Sequence, residues 1–355
     1  KPMLLTSLKS YDRTQFVKDV TAGIIVAIIA LPLSIALALA SGVGPEAGIF
    51  TAIVAGFVIS ALGGSSVQIA GPTAAFATIV AGIVAKDGLD GLVISTILAG
   101  IFLILMGLCH FGSLIKFIPY TITTGFTSGI AVTIVIGQLK DFFGVTYPDG
   151  VKPIETTEKF KAFIENISTM NTAALIVGIV SLAILIISPV IFKKIPGSLI
   201  AVIVGILMVK FLPLKVSTIG NLYTISNSLP AFHLPALNLH IIENALPNAF
   251  TIAVLAAIES LLSCVVADGM INGKHRSDME LVAQGAGNIA SALFGGIPAT
   301  GAIARTAANI KNGGRTPVAG MVHSITLVIV LVVLMPFAGI CLLYTSDAAD
   351  EARSV

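Results

Sequence analysis

Charged side chains are scarce in this sequence, and that scarcity excludes most classes of soluble protein. Asp, Glu, Lys and Arg make up 11% of the 355 residues, against about 25% in ordinary soluble domains. Hydrophobic residues make up 56%, and the mean hydropathy is +1.01. The formal net charge of +2 argues against a nucleic-acid partner, because such proteins carry a basic face or tail. The composition predicts an integral membrane protein surrounded by the lipid bilayer.

Tryptophan is absent and cysteine is rare. The first shortage limits which residues can anchor the chain at the membrane surface, and the second argues against metal sites and disulfides. Without Trp, the residues that anchor the chain at the membrane surface must be Tyr and Phe. Cys109, Cys264 and Cys341 lack the spacing of a metal site or a disulfide framework. The sequence also shows no combination of nucleophile and base. We therefore expect neither an enzyme nor a protein that holds a cofactor.

Apolar stretches recur along the chain, and a full membrane span needs about 20 such residues. Three prolines, Pro32, Pro247 and Pro298, are expected to break or begin helices. Two shorter apolar stretches are candidates for half-helices. The spans are predicted near residues 20–42, 47–62, 90–109, 118–139, 172–192, 196–214, 247–268, 280–295 and 318–340, and the half-helices near residues 72–86 and 299–310.

The basic residues of the short loops predict how the chain is oriented. Lys9, Arg13 and Lys18 precede the first span, and Lys193 and Lys194 fall on the same side of the membrane as these three. We therefore expect a multi-pass protein of the inner or plasma membrane with its N-terminus in the cytoplasm. Residues 1–18 would be its cytoplasmic N-terminal segment.

Two stretches of the sequence look like copies of one structural motif. Residues 60–64 and residues 291–296 each end an apolar helix with a glycine pair. In both, a short extended segment follows, and then a second helix rich in small residues begins. Interrupted hydrophobic segments in corresponding positions of two halves are the best sequence pointer to a transporter's binding site. The pair predicts a protein that carries a solute.

Glu259 is the residue with the clearest chemical meaning. It lies in the middle of an apolar span, where a carboxylate is costly unless it is paired, protonated or bound to a cation. Ser263, one turn later, is expected to face the same side, and together they suit Na⁺ or a proton. Aligning the two spans sets Pro32 opposite Glu259, and the number of crossings between them makes the second copy inverted. His323, in the last span, is by contrast expected to be a polar group in helix packing.

Arg305 is the expected counterpart, near the start of the second half-helix. A helix N-terminus presents N–H groups and the positive end of its dipole, which suits an anion. The guanidinium favours planar oxyanions such as carboxylate, bicarbonate or sulfate. The first half-helix opens at Gly71-Pro72-Thr73, where proline suits a first helical turn and threonine adds a hydroxyl. A structural salt bridge between Arg305 and Glu259 is the alternative interpretation.

Several motifs resemble one known family. The run from Gly287 to Gly301, with Ala304-Arg305-Thr306 and the segment 312–317, resembles the second-repeat signature of the sulfate permease family. The resemblance covers roughly residues 15–340. It implies an all-α polytopic membrane protein with seven plus seven inverted transmembrane segments, divided into core and gate domains. Its two half-helices would each be preceded by a short strand.

The same resemblance implies roles for particular residues. Glu259 and Ser263 stand where the family's cyanobacterial sodium–bicarbonate branch has Asp and Thr, and they would bind the coupling cation. The presence of both Glu259 and Arg305 looks more like proton-coupled members that take dicarboxylates or sulfate. The expected substrate-site residues are Pro32, Gly71, Pro72, Thr73, Ala74, Ala302, Ile303, Ala304 and Arg305.

The function expected from these features is secondary active transport of a small inorganic or organic anion. Sulfate, bicarbonate and dicarboxylates are the candidate substrates, and the coupling ion is H⁺ or Na⁺. The resemblance implies an elevator-type motion and a homodimer when the protein is full length. An anion channel and a nucleobase permease of the same fold are the alternatives.

The sequence departs from the family's pattern at its C-terminal end. About eleven of fourteen segments are present in a transmembrane domain at 19–340, with a first repeat at about 19–214 and an incomplete second repeat at about 247–340. We expect the STAS domain that usually follows in the family to be absent. Residues 341–355 turn polar in mid-helix, and we expect this tail to be non-native.

Overall fold

The computed structural model describes residues 1–113, 120–148, 150–151, 153–191, 197–211, 228–235 and 239–338. Within these ranges nearly all regular structure is helical. The helices are α1 (Leu4–Ser7), α2 (Arg13–Ala40), α3 (Pro45–Leu62), α4 (Ala74–Leu108), α5 (Tyr120–Phe142), α6 (Thr156–Glu165), α7 (Thr172–Ile191), α8 (Gly197–Phe211), α9 (Leu239–Ile271), α10 (Ser277–Leu293), α11 (Ile303–Lys311) and α12 (Val318–Ala338). The strands are β1 (Ala70–Gly71) and β2 (Thr300–Gly301), and 3₁₀ turns occur at Leu8–Ser10 and Ile167–Thr169.

The predicted helical membrane fold is confirmed. In the described part of the chain, four helices are long and apolar enough to cross a membrane: Arg13–Ala40, Pro45–Leu62, Ala74–Leu108 and Ile241–Ile271. Local sequence explains where several helices begin. Asp12 caps α2 by accepting a hydrogen bond from the Gln15 N–H at 2.7 Å, and α3 begins with a proline, which suits the first helical turn.

The half-helix predictions are confirmed, with both starts shifted by a few residues. The first half-helix and the span after it form α4, which begins at Ala74 and bends at Gly88, where φ is 70° and ψ is −172°. Glycine tolerates a positive φ that other residues avoid, so the helix breaks there. The second half-helix is α11. It begins at Ile303 rather than near residue 299, because β2 occupies the residues before it.

Two of the three proline predictions are wrong. Pro32 lies inside α2 and Pro247 lies inside α9, rather than at the ends of helices. In a membrane protein, neighbouring helices and side chains can satisfy the backbone groups that a proline frees, so the helix continues through it. Pro298 does lie outside the helices, in the segment that leads into β2.

The chain forms two compact units. The first unit comprises residues 1–123 and 228–332 and contains α1–α4, α9–α11 and most of α12. The second comprises residues 124–227 and 333–355, and within it α7 packs against α8. The predicted non-native tail, residues 341–355, lies outside the described residues.

The core of the first unit forms where α4 packs against α9 and α10. Small residues let these helices approach closely: a side chain at Gly100 would collide with the Gly285 carbonyl, 2.6 Å from its Cβ. Such positions are common where helices pack within membranes. Buried Leu103, Ala253 and Leu281 belong to the same apolar cluster. This packing places the middle of α9 beside the first half-helix.

Asp19 is buried near the start of α2 and joins distant parts of the first unit. Its carboxylate accepts hydrogen bonds from the Tyr11 hydroxyl at 3.0 Å and the Gln15 amide at 2.8 Å. It also accepts from the Arg315 N–H at 2.9 Å and the Thr316 hydroxyl at 2.5 Å, both in the loop after α11. Burial, with the hydrogen bond to Asp19, raises the pKa of Tyr11 to about 12.

Candidate functional site

Two short strands bring the half-helices together. β1 precedes α4 and β2 precedes α11, and the strands pair antiparallel, with Ala70 opposite Gly301 and Gly71 opposite Thr300. All four residues are buried. Antiparallel pairing means that the chain enters α4 and α11 from opposite directions, as expected for two inverted copies.

Ser260, on α9, holds β2 in place through hydrogen bonds. The Ser260 hydroxyl lies 2.6 Å from the Thr300 hydroxyl and accepts a hydrogen bond from the Gly301 N–H at 3.1 Å. The Thr300 hydroxyl also donates to the Ala256 carbonyl at 3.3 Å. A two-residue strand leaves buried backbone groups that the ladder cannot satisfy, and these hydroxyls meet part of that need.

The segment before β2 is held by two other helices. The Asn288 side chain, on α10, donates to the Ala299 carbonyl and accepts from the Ala299 N–H, both at 2.8 Å. Thr51, on α3, accepts from the Ile297 N–H at 2.7 Å. Three helices therefore fix the path of the chain into the second half-helix.

Residues of α11 hold the segment before β1. The Thr306 hydroxyl accepts from the Ile69 N–H at 3.0 Å, and the Asn309 amide donates to the Val67 carbonyl at 2.8 Å. The Ala302 N–H, just before α11, donates to the Ile69 carbonyl at 2.9 Å. The second half-helix is thus attached to the segment that leads into the first.

Arg305 reaches from α11 to the start of the first half-helix. Its side chain is buried, and Nη2 donates to the Pro72 carbonyl at 2.7 Å. Gly71 leaves room for the guanidinium, because a Cβ added there would collide with Arg305 Nη1. A buried charge in a membrane protein is costly and marks a functional site by default.

Glu259 reaches the same segment from α9. The Thr73 hydroxyl donates to Glu259 Oε2 at 3.0 Å, and both residues are buried. Pro72 and Thr73 are adjacent in the chain. One dipeptide at the start of α4 therefore contacts both charged residues that the sequence singles out.

Neither half-helix begins with a side-chain cap. Thr73 is the N-cap of α4, but its hydroxyl donates to Glu259 instead of accepting from the first turn. Ala302 is the N-cap of α11 and has no polar side chain. Helix N-termini carry N–H groups without intrahelical partners, which favour anions. Arg305, in the first turn of α11, adds a positive charge there.

The remaining predicted residues lie nearby with less defined roles. Ala74 is the first residue of α4, and Ile303 and Ala304 open α11 half-buried. Ser263 is buried one turn after Glu259, and its hydroxyl has no hydrogen-bond partner among the described residues. Pro32 is half-buried inside α2, and its part in the site stays a prediction.

Sequence reasoning missed the polar residues that support the site. Ser260 and Asn288 hold β2, and Gln68 lies so close to Gly301 that a Cβ there would collide with its amide. The Cys264 thiol donates to the Gln68 carbonyl oxygen. The sequence could have indicated these residues, because polar side chains on apolar helices need buried partners.

Residues 16–341 match the model of the Sulfate permease family. The chain belongs to this family. Two relatives of this chain are named as transporters.

Two relatives in the family share much of this sequence. YvdB of Bacillus subtilis (strain 168), named as a proposed sulfate transporter, is 44% identical over 336 residues, which are 93% of this chain and 62% of YvdB. The bicarbonate transporter BicA of Picosynechococcus sp. is 34% identical over 324 residues, which are 88% of this chain and 56% of BicA. The chain thus spans less than two-thirds of the length of either relative.

Two solved structures share the fold of this chain. The transmembrane domain of a cyanobacterium bicarbonate transporter BicA superimposes with a TM-score of 0.84 at 29% identity, covering 97% of this chain and 88% of that chain. The structure of SLC26A9 superimposes with a TM-score of 0.84 at 20% identity, and the match covers 99% of this chain and 59% of that chain. This likeness shows the fold alone. The family and its apolar helices make this a multi-pass membrane protein.

Proposed function

We propose that this protein is a secondary active transporter of a small oxyanion. One observation carries the proposal: Arg305 and Glu259, both buried, contact the adjacent residues Pro72 and Thr73 at the start of a half-helix. A positive and a negative group thus share one site inside a membrane protein. Sulfate, bicarbonate and dicarboxylates are the substrates that this charge arrangement suits.

The anion site would be formed by both half-helix starts. N–H groups of the first turns of α4 and α11 would donate to the substrate oxygens, and the helix dipoles would favour its negative charge. Arg305 would add a charged, planar donor set that matches an oxyanion. The names of YvdB and BicA, which refer to sulfate and bicarbonate, support a substrate of this size and charge.

The coupling ion would bind at Glu259, with Ser263 one turn away. A carboxylate buried in a membrane protein is stabilised by a proton or a cation, so H⁺ and Na⁺ are the two candidates. Thr73 links the two sites, because its hydroxyl donates to Glu259 while its backbone opens the half-helix. Binding the cation together with the anion would reduce the net charge that the protein carries across the membrane.

We further propose an elevator-type mechanism in which the first unit carries the site. Every residue assigned to the anion and the coupling ion belongs to that unit. The homodimer, the cytoplasmic N-terminus and the bacterial inner membrane belong to the same proposal. They are supported by the family and by the basic residues of the short loops.

Transport assays on the full-length protein in proteoliposomes test the proposal. Uptake of sulfate, bicarbonate and succinate is measured under imposed H⁺ and Na⁺ gradients. The wild type is expected to concentrate one of these anions, and Glu259→Gln is expected to abolish gradient-driven accumulation. Glu280→Gln is the matched control, because Glu280 is buried but accepts hydrogen bonds from the Gly64 and Ser65 N–H groups outside the site.

The same assay tests the anion site. Arg305→Ala is expected to weaken anion affinity at least about tenfold, the equivalent of a lost charged hydrogen bond. Lys311→Ala, an exposed change on the same helix, is expected to have no effect. Unsaturable, purely downhill flux would show a channel, and uptake of a nucleobase in place of an oxyanion would show a permease. Wild-type affinity in Arg305→Ala would overturn the assignment.

A further inference from the structure

His323 is a completely buried residue on α12. Neither Nδ1 nor Nε2 has a hydrogen-bond partner among the described residues. The sequence suggests a polar group that serves helix packing, but such a group would be expected to bond to a neighbour. A polar ring buried without partners lowers stability. Its presence beside a binding site therefore requires another explanation.

The surroundings of His323 place it next to the paired strands. A Cβ built on Gly56 of α3 would lie 3.9 Å from His323 Nδ1, 3.2 Å from the carbonyl oxygen of Ala70 in β1 and 2.9 Å from Ser324 Oγ. The Ser324 hydroxyl donates to the Ala52 carbonyl at 3.1 Å, which fixes α12 against α3. His323 therefore lies by the strand that leads into the first half-helix.

Arg305 brings a positive charge to the same strand, because a Cβ built on Gly71, the residue after Ala70, would collide with Arg305 Nη1. The α3 helix presents Gly56, and β1 presents the backbone of Ala70. The α2 helix packs on α12 through Gly23, against Val322. A positive charge on His323 would therefore lie in the same region as the guanidinium that the proposed function assigns to the anion.

We infer that His323 is a proton-binding site linked to occupancy of the anion site at Arg305. A proton on His323 without an anion would put a second positive charge in the same buried region as Arg305. A bound oxyanion supplies the compensating negative charge, so the proton and the anion bind cooperatively. Linkage is reciprocal, and each ligand strengthens binding of the other by the same factor.

This inference rests on the proposed function but differs from the role of Glu259. It assigns a second ionisable group to the first unit, on the side of β1 that faces α3 and α12. A transporter with this link would take up a proton with its anion at His323. Its anion affinity would rise as the pH falls, by up to about tenfold per pH unit when one proton accompanies each anion.

The test measures sulfate, bicarbonate and succinate binding to the purified full-length protein by calorimetry at pH about 5 to 8, where histidine titrates. Each affinity is expressed in the concentration of sulfate, bicarbonate ion or succinate dianion present at that pH, because bicarbonate and succinate take up protons themselves in this range. The wild type is expected to show the rising affinity, and His323→Gln is expected to remove the pH dependence while keeping the affinity measured at the highest pH. His110→Gln is the matched control, because the His110 side chain is 82% exposed, and it should keep the dependence. Glu259→Gln is measured beside them, because the proposed function allows a proton at Glu259 as well.

Each outcome decides one question. If the pH dependence survives in His323→Gln and disappears in Glu259→Gln, the inference is overturned while the proposed function stands. A wild-type affinity that does not vary with pH also overturns it. If the wild type binds none of the three anions, the proposed function fails first.

A second measurement covers the case in which His323→Gln does not fold. A variant with the other four of the five histidines replaced by Gln keeps His323 as its single imidazole. Imidazole ¹⁵N resonances of this variant are expected to change to the protonated pattern when the anion is added. An unchanged spectrum at saturating anion would overturn the inference.

Discussion

At the residue scale, the start of α4 is where two residues of opposite charge contact one dipeptide. Arg305 holds the Pro72 carbonyl, and Glu259 accepts the Thr73 hydroxyl. The Thr73 hydroxyl can be removed with little change of side-chain shape. It therefore offers a sharp test of how the anion and coupling sites communicate.

Replacing Thr73 by Val removes the hydroxyl and keeps the side-chain volume. The hydrogen bond to a carboxylate contributes about 1.5–3 kcal/mol, so we expect gradient-driven uptake to fall about tenfold or more. Thr73→Ser, which keeps the hydroxyl, should retain most of the rate. Equal rates in the Val and Ser variants, measured in proteoliposomes, would show that the bond does not serve coupling.

Tyr11 gives a pH-dependent contribution to stability outside the membrane spans. Its pKa is raised from 10.0 to about 12, by burial first and then by the hydrogen bond to Asp19. The folded state therefore keeps the proton longer than the unfolded state, and the contribution is full below pH 10 and lost between pH 10 and 12. The difference in Tm between the wild type and Tyr11→Phe should shrink across that interval. A constant difference there would contradict this account.

At the element scale, the two strands align two half-helices that neither strand could hold alone. Side chains from α3, α9, α10 and α11 satisfy the backbone around them. Position 71, in β1, requires glycine for a steric reason, because the Arg305 guanidinium lies against the backbone of Gly71. The strand thus sets the position of the charge.

Gly71→Ala is expected to displace the Arg305 guanidinium from the half-helix start, because the new Cβ would collide with Nη1. Anion affinity should fall about tenfold, as expected for loss of about 1.4 kcal/mol. Gly82→Ala is the control, since a Cβ there meets nothing within 4 Å. Binding calorimetry with the transported anion checks both variants. An undiminished affinity in Gly71→Ala would place the guanidinium elsewhere during binding.

At the scale of the whole molecule, the chain divides its residues unequally between two units. The candidate site lies entirely in the first unit, which is built from two segments separated by more than a hundred residues of sequence. Asp19 connects those segments, because its carboxylate bonds to the backbone of Arg315, 296 residues later. Removing this connection is expected to affect stability rather than specificity.

Asp19→Ala would leave the Arg315 N–H and the buried Thr316 hydroxyl without their acceptor. Each unsatisfied buried group costs about 1–3 kcal/mol, so a clear fall in Tm is expected, with anion affinity unchanged in the protein that remains folded. Asp90→Ala, at an exposed position, is the control and should leave the Tm within error. A Tm equal to that of the wild type would show that the α11–α12 loop does not depend on Asp19.

The sequence by itself determined the membrane class, both half-helices and the two charged residues, Glu259 and Arg305. These follow from composition, hydropathy and the cost of a charge in an apolar span, which are local properties of the chain. The family resemblance added the short strands before the half-helices.

Only the tertiary structure decided which groups these residues contact. Thr73 meets Glu259 across 186 residues and Pro72 meets Arg305 across 233. The tertiary structure also showed that Pro32 does not end its helix, and that the His323 ring has no hydrogen-bond partner among the described residues. Such contacts depend on how helices pack against one another, and no local pattern encodes the neighbour that packing supplies.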